Sequence, residues 1–332
     1  MKITDVITTC TAIWTANPQQ AIYISGPPGC GKTSVTTPIA HELGIKPENV
    51  HIFRPSLHDP VDILGVPSVS DGQTKWNTPT WLHKLQEGRH LLCIDELPQS
   101  VKMMQNALAG LMLDRFVGDV HLSDEVYIIA TGNRTQDRAG ANRMLTQLAN
   151  RVLEIEMDVN TDDWVAWALE QQIDPLLIAF HRWKSGLLSD FDPDRSQNPT
   201  PRSWGMVARV PTDLPPDLYM DAVTGLVGSG AAAEYCGFRR LADKLPSIDH
   251  IILDPANAPV PEEPDVRYVC VATLSTRVTF DNYSGMIEYV ERMPVEYQVL
   301  FNKTAISTKP NEHLTNHKDF TRWVSKNAKA FQ

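Results

Sequence analysis

Hydrophobic residues form five short runs in the first half of the chain, and segments with a helical period separate them. The runs cover residues 21–25, 50–53, 91–95, 126–131 and 152–156. Short apolar runs that alternate with helices such as Ser100 to Leu113 are typical of a parallel sheet covered on both faces. The pattern therefore predicts an α/β fold: an αβα sandwich around a five-stranded parallel sheet.

The pattern changes after Met157, where the strand-like runs stop. Helical patterns follow at residues 162–170, 176–188, 201–209 and 217–245, and prolines become dense from about residue 246. Proline-rich stretches interrupt regular structure, so we expect a connector there before a last amphipathic segment at residues 264–332. The predicted domains are the α/β core at 1–157, an α-helical lid at 158–245 and a C-terminal extension at 246–332.

A glycine-rich segment joins the first predicted strand to a predicted helix over residues 33–43. Its residues are Gly26, Pro27, Pro28, Gly29, Cys30, Gly31, Lys32, Thr33 and Ser34. This order is the phosphate-binding loop of nucleoside triphosphatases, which requires a strand before it and a helix after it. We expect the amides of Gly29 to Thr33 to bind the phosphates of ATP, Lys32 to neutralise them, and Thr33 to ligate Mg²⁺. The alternative is a glycine-rich turn with an incidental lysine.

Two acidic residues, Asp95 and Glu96, end the third apolar run. At the carboxyl end of a buried strand, Asp95 is expected to bind the magnesium shell and Glu96 to activate the attacking water. An acidic pair that caps the next helix is the alternative, and the upstream phosphate loop favours catalysis.

Composition and charge restrict the partners, the compartment and the metal sites that this chain can have. The 332 residues carry a formal net charge of −10, which argues against a broad nucleic-acid or membrane-binding face, although a local basic channel is compatible with it. The five cysteines are scattered and contain no CxxC pair, and no apolar run approaches the ~18 residues of a membrane helix. These features predict a cytoplasmic protein without structural zinc. Cys30, at a helix N-terminus beside Lys32, is expected to be the most reactive thiol.

The motifs, taken in order over residues 18–245, resemble those of the AAA+ ATPases, specifically the MoxR-like and dynein-related (AAA_5) branch. The segment Leu97–Leu108 is similar to the helix that follows the second acidic motif in that branch. The segment His58–Pro67 resembles one that lies near the central pore, and Phe116–Leu122 resembles an inserted β-hairpin.

The resemblance implies roles for three polar residues. Asn133, after the fourth run, corresponds to the first sensor of the γ-phosphate. Arg151 corresponds to the arginine finger; because it precedes a parallel strand, it lies about 17 Å from the nucleotide of its own chain and can act only on a neighbour. Arg202 corresponds to the second sensor in the lid. A turn asparagine and surface arginines at helix ends are the alternatives.

Arg134, Arg138 and Arg143 follow the first sensor, and each is a candidate to assist at the nucleotide.

The resemblance further implies a homo-oligomeric ring, hexameric in this family, that uses ATP hydrolysis to remodel a protein client. An adaptor with a von Willebrand factor A domain is implied as partner. A nucleic-acid motor or loader on the same ring is the first alternative, and an ATP-gated scaffold is the second. The presence of both Glu96 and Arg151 argues against a scaffold, which needs neither.

Overall fold

The computed structural model describes residues 1–134, 137, 144–306 and 309–331, without the side chains of residues 309–312 and 328–331. The chain divides into two compact units, one formed by residues 1–160 and 191–194 and the other by residues 161–190 and 195–332. Within the described residues, no helix combines the length and apolar character needed to cross a membrane.

Among its described residues, the first unit contains nine strands and six α-helices. The strands are β1 (Ile22–Gly26), β2 (Val50–Phe53), β3 (Val66–Ser70), β4 (Gln73–Asn77), β5 (His90–Ile94), β6 (Phe116–Val117), β7 (Val120–His121), β8 (Val126–Asn133) and β9 (Leu153–Glu156). The helices are α1 (Ile3–Ala16), α2 (Thr36–Glu42), α3 (Val61–Leu64), α4 (Thr80–His83), α5 (Lys102–Ala109) and α6 (Thr146–Ala149).

Five of these strands pair in parallel in the order β2-β5-β8-β1-β9. Alternate residues of the three central strands, β5, β8 and β1, enter separate cores on the two faces. On β5, Leu91 and Cys93 pack with α1 and α2, whereas Leu92 and Ile94 pack with α5. The predicted αβα sandwich with a five-stranded parallel sheet is therefore confirmed.

Two antiparallel hairpins lie outside this sheet. The predicted hairpin at residues 116–122 forms as β6 and β7. A second hairpin, β3–β4, was not predicted, and every residue of its two strands is exposed. The side chain of Thr78, just after β4, donates a 2.9 Å hydrogen bond to Asp119 in the β6–β7 turn. This contact links the base of the β3–β4 hairpin to the turn of the β6–β7 hairpin.

Three helix boundaries differ from the sequence prediction. The helix after the phosphate loop begins at Thr36 rather than Thr33, since residues 32–35 form a turn. The helix predicted over residues 100–113 is α5 followed by a π-helical turn at Gly110–Asp114. The long helix predicted over residues 217–245 is broken at Gly228, whose φ of 82° does not fit a right-handed helix.

The described part of the second unit is helical. Its α-helices are α7 (Thr161–Glu170), α8 (Pro175–Trp183), α9 (Pro201–Val207), α10 (Pro216–Val227), α11 (Ser229–Ala242), α12 (Ile248–Leu253), α13 (Pro264–Arg277), α14 (Tyr283–Val290), α15 (Val295–Ile306) and α16 (Lys318–Phe331). Helix α13 packs against α8 and α11, so segments from both sides of residue 245 share this unit. The bounds of the three predicted domains remain predictions.

His181 lies at the centre of an aromatic cluster in this unit. Its side chain is fully buried, and its ring packs edge-on against Trp164 and Trp204 with centroid distances of 4.8 and 4.5 Å. Neither ring nitrogen has a hydrogen-bond partner in the described part of the chain. Burial therefore favours the neutral ring and lowers the pKa of His181 to about 3.

Candidate functional site

The strand register brings the predicted site residues together at the carboxyl edge of the sheet. Phe53 pairs with Ile94, and Ile94 pairs with Ala130, so the residues that follow each strand are neighbours. Gly26 pairs with Asn133 on β8. Ligands of open parallel sheets bind at this edge, which makes it the candidate functional site.

The phosphate-binding loop has the backbone that its glycines permit. Gly29 and Gly31 have φ angles of 73° and 98°, which side chains other than glycine rarely adopt. A Cβ atom at Gly26 would lie 2.5 Å from the carbonyl oxygen of Met157, so only glycine fits beside β9. Pro27 is buried, Pro28 half-buried and Ser34 exposed. The glycines thus form the cradle expected for a triphosphate.

Lys32 is buried at the centre of this loop. Its ammonium donates to the carbonyl oxygens of Gly26 and Pro27, both at 2.8 Å, and to Asn133 Oδ1 at 2.9 Å. The phosphate-loop lysine and the predicted first sensor are therefore in direct contact. A phosphate oxygen near this ammonium would also lie within reach of the Asn133 side chain.

Asp95 is the centre of a second group of polar side chains. Its Oδ1 accepts hydrogen bonds from the hydroxyls of Thr33 at 2.7 Å and Thr131 at 2.8 Å. The Thr131 hydroxyl in turn accepts from the backbone amide of Glu96 at 3.1 Å. The sequence analysis missed Thr131, because only the pairing of β5 with β8 places it beside Asp95.

The donor set fits magnesium. Mg²⁺ prefers hard oxygen ligands and is bound by one or two protein oxygens together with substrate phosphates and water. Thr33 and Asp95 offer a hydroxyl and a carboxylate next to the phosphate cradle. Among the described residues, no group of three or more His, Cys, Asp or Glu is arranged to hold a metal ion.

Glu96 has a left-handed backbone, with φ 61° and ψ 38°. This conformation costs a residue with a side chain about 1–2 kcal/mol, and such strain is concentrated at functional sites. Its amide is held by Thr131, and its side chain is half-buried. The backbone therefore holds Glu96 at the edge of the site, directly beside Asp95.

Arg54 is a further residue of the site that the sequence analysis did not identify. It follows β2, and its Nε lies 3.3 Å from Asp95 Oδ2. Its side chain is 54% exposed, whereas that of Asp95 is 8% exposed. Arg54 carries no motif of its own, so only the pairing of β2 with β5 identifies it.

The surroundings of Cys30 do not favour the expected thiolate, and its rank in reactivity among the five cysteines stays a prediction. Its side chain is buried, and burial raises the pKa of the thiol more than the neighbouring Lys32 lowers it. Reactivity follows the thiolate fraction, so this thiol is protected at neutral pH. The other four cysteines are buried as well.

Arg134 is held by acidic residues. Its guanidinium contacts Asp137 at 3.2 Å, Glu156 at 3.3 Å and Asp158 at 3.5 Å, and the hydrogen bonds to Asp137 are the main reason that its pKa is raised. Arg138 and Arg143 lie outside the described residues.

The two remaining predicted arginines lie on different units. Arg151 is exposed and comes two residues before Leu153, which pairs with Ile22 at the start of β1. It therefore lies at the amino edge of the sheet, about 16 Å from the phosphate loop at the other end of this five-residue strand. Arg202 is exposed in the first turn of α9, where Thr200 and Ser203 form a capping box. The finger and second-sensor roles remain predictions.

Comparisons with known proteins agree with this geometry. The sequence model of the ATPase family associated with various cellular activities (AAA) matches residues 22–157. No curated protein matches the chain in sequence.

Two solved structures that match are of NtrX from Brucella abortus. One is 16% identical and covers 91% of this chain and 67% of that chain, with a TM-score of 0.41. The other, NtrX in complex with ATP, is 14% identical and covers 100% of this chain and 68% of that chain, with a TM-score of 0.41. Similarity at this level carries no conclusion about activity. Residues 22–157 are thus similar in sequence to the AAA ATPase family, and their loop has the geometry of a phosphate-binding loop.

Proposed function

We propose that this chain binds ATP with Mg²⁺ and hydrolyses it as a subunit of a MoxR-like AAA+ ring that remodels a protein client. One observation carries the proposal: four side chains suited to phosphate and magnesium chemistry form two close pairs at one edge of the sheet. Lys32 lies 2.9 Å from Asn133, and Thr33 lies 2.7 Å from Asp95.

The residues divide the chemistry between them. Lys32 exchanges its contacts with two loop carbonyls for phosphate oxygens, and Asn133 orients the γ-phosphate and the attacking water. The oxygen of that water bonds to the γ-phosphorus, and Glu96 accepts the proton that the water loses. The bond from that phosphorus to the bridging oxygen breaks, which releases ADP and phosphate. Thr33 and Asp95 would hold magnesium, which neutralises phosphate charge when bound.

The ring completes the site through Arg151. Because this exposed arginine lies at the sheet edge opposite its own phosphate loop, its partner is the γ-phosphate in the neighbouring subunit. We further propose six copies, a protein client, and an adaptor with a von Willebrand factor A domain. The resemblance of the motifs to the MoxR-like branch supports these three points.

Phosphate release at increasing protein concentration, with oligomer mass measured in parallel, tests the proposal. Activity per subunit should rise over the range in which rings assemble, by mass action. Lys32→Ala is the control, since it should bind ATP weakly and show no turnover. Constant activity per subunit in a monomeric sample would contradict the ring, and ATP binding without hydrolysis would contradict the enzyme.

The same assay with added DNA separates the two motor classes. A protein remodeller should be indifferent to DNA. Stimulation that falls steeply with salt would instead support the nucleic-acid motor, because phosphate contacts release counterions.

A further inference from the structure

Asp95 accepts hydrogen bonds from three side chains in this structure. Two hydroxyls occupy Oδ1, and the guanidinium of Arg54 lies 3.3 Å from Oδ2. The carboxylate is almost completely buried, so a nearby positive charge replaces the water that would otherwise surround it. Arg54 supplies that charge from its own chain.

The position of Arg54 matters because Asp95 is also the carboxylate proposed to hold magnesium. Two cations that approach one carboxylate repel each other, and the repulsion is strong near a buried group. Oδ1 is fixed by Thr33 and Thr131, so Oδ2 is the oxygen for which a second cation must compete.

Arg54 is also free to move. More than half of its side chain is exposed, and its Nε forms an ion pair with Asp95. Its backbone carbonyl accepts a hydrogen bond from the amide of Leu57 in a short 3₁₀ turn. This bond fixes the main chain and leaves the side chain able to turn towards solvent.

We propose that Arg54 and magnesium compete for Asp95, so that Arg54 is an internal counter-cation that is released when the magnesium nucleotide binds. The proposal rests on the proposed function, in which Asp95 holds the metal. It assigns Arg54 a positioning role: the guanidinium orients the buried carboxylate, and its contact with Oδ2 weakens metal binding at that oxygen.

Binding of Mn²⁺, a paramagnetic substitute for Mg²⁺, tests this competition by electron paramagnetic resonance. The titration uses the full chain with saturating ADP, so that no γ-phosphate is present to bind Arg54. Arg54→Gln and Arg54→Met, the second of which keeps the aliphatic stem, should each bind Mn²⁺ about two- to tenfold more tightly than the wild type. Arg54→Lys keeps the charge and should stay nearer to the wild-type affinity.

Arg89→Gln is the matched control. Arg89 precedes β5 and pairs with Glu125 at 2.7 Å, at the opposite edge of the sheet, so its loss should leave Mn²⁺ affinity unchanged. Unchanged or weaker Mn²⁺ binding in both Arg54→Gln and Arg54→Met would overturn the competition. Asp95→Asn separates this failure from that of the proposed function, since wild-type Mn²⁺ affinity in Asp95→Asn would show that Asp95 does not hold the metal.

Discussion

The hydroxyl of Thr131 donates a 2.8 Å hydrogen bond to Asp95 Oδ1, across the boundary between β8 and β5. The same hydroxyl accepts from the amide of Glu96, so one side chain positions both acidic residues. Thr131→Val preserves shape but removes both bonds. We expect ATP turnover to fall about 10- to 100-fold and stability to fall by about 1–3 kcal/mol. Steady-state kinetics and thermal unfolding measure these effects, and Thr131→Ser should retain most activity. Wild-type turnover in Thr131→Val would contradict the role.

Glu96→Gln isolates the proposed base. The phosphate cradle and the Thr33–Asp95 pair are untouched, so ATP affinity measured by calorimetry should remain near the wild-type value. Turnover should fall about 10²- to 10⁴-fold, because the amide cannot accept the proton of water. Glu87→Gln, at an exposed glutamate beyond the site, should keep wild-type activity. Hydrolysis at the parental rate by Glu96→Gln would assign the base elsewhere.

Mixed rings test whether Arg151 acts between subunits. Arg151→Ala has an intact phosphate loop but supplies no arginine to the ATP site of its neighbour. Lys32→Ala supplies the arginine but cannot bind ATP in its own loop. Each variant alone should be inactive, and their mixture should recover part of the wild-type ATPase rate at mixed interfaces. Native mass spectrometry verifies that mixed rings form. If such rings are present and remain inactive, Arg151 does not act on the neighbouring site.

His181 makes the stability of the second unit depend on pH. Its folded pKa of about 3 lies below the value of about 6.5 in an unfolded chain, so the unfolded state binds more protons between these values. The free energy of unfolding should therefore decrease as pH falls below about 6.5. His181→Phe should flatten this dependence by up to about 1.4 kcal/mol per pH unit.

Urea unfolding at several pH values measures that slope. His250→Phe replaces an exposed histidine of the same unit and should retain the wild-type slope. An unchanged slope in His181→Phe would mean that His181 titrates alike in both states.

Cys30 should resist alkylation despite its place in the phosphate loop. Since its pKa is raised and its side chain is 5% exposed, native labelling by iodoacetamide at pH 7 should be much slower than labelling in urea. The rate should increase as pH rises towards and beyond 9. Peptide mass spectrometry follows each cysteine separately. Rapid modification of Cys30 first among the five at pH 7 would contradict its protection.

The sheet could be predicted from sequence because each buried strand carries its own apolar run. The phosphate loop could be predicted because its chemistry is confined to consecutive residues. Thr131 and Arg54 could not, since their importance depends on the strand order, which places β2 and β8 on either side of β5. The local hydrophobic pattern predicts which residues form a strand, but it does not predict which strands are neighbours in the sheet.

The errors have similarly physical causes. The sequence does not distinguish Gly228 from a glycine inside a helix, and only its φ of 82° shows that the helix predicted over residues 217–245 breaks there. The prediction of a thiolate at Cys30 considered the charge of Lys32 and the helix N-terminus but not the burial that outweighs them. The β3–β4 hairpin lacks the apolar alternation of a packed strand because neither of its faces is covered.

That hairpin has a consequence for how the sequence can diverge. Val66, Val69 and Trp76 are 58%, 77% and 48% exposed, and no residue of either strand contributes to a core. Folding stability therefore places little selection on the side chains along its length. Mutations can accumulate there without passing through an unstable protein, so the hairpin is the segment of this unit that can acquire new specificity while the ATPase core stays the same.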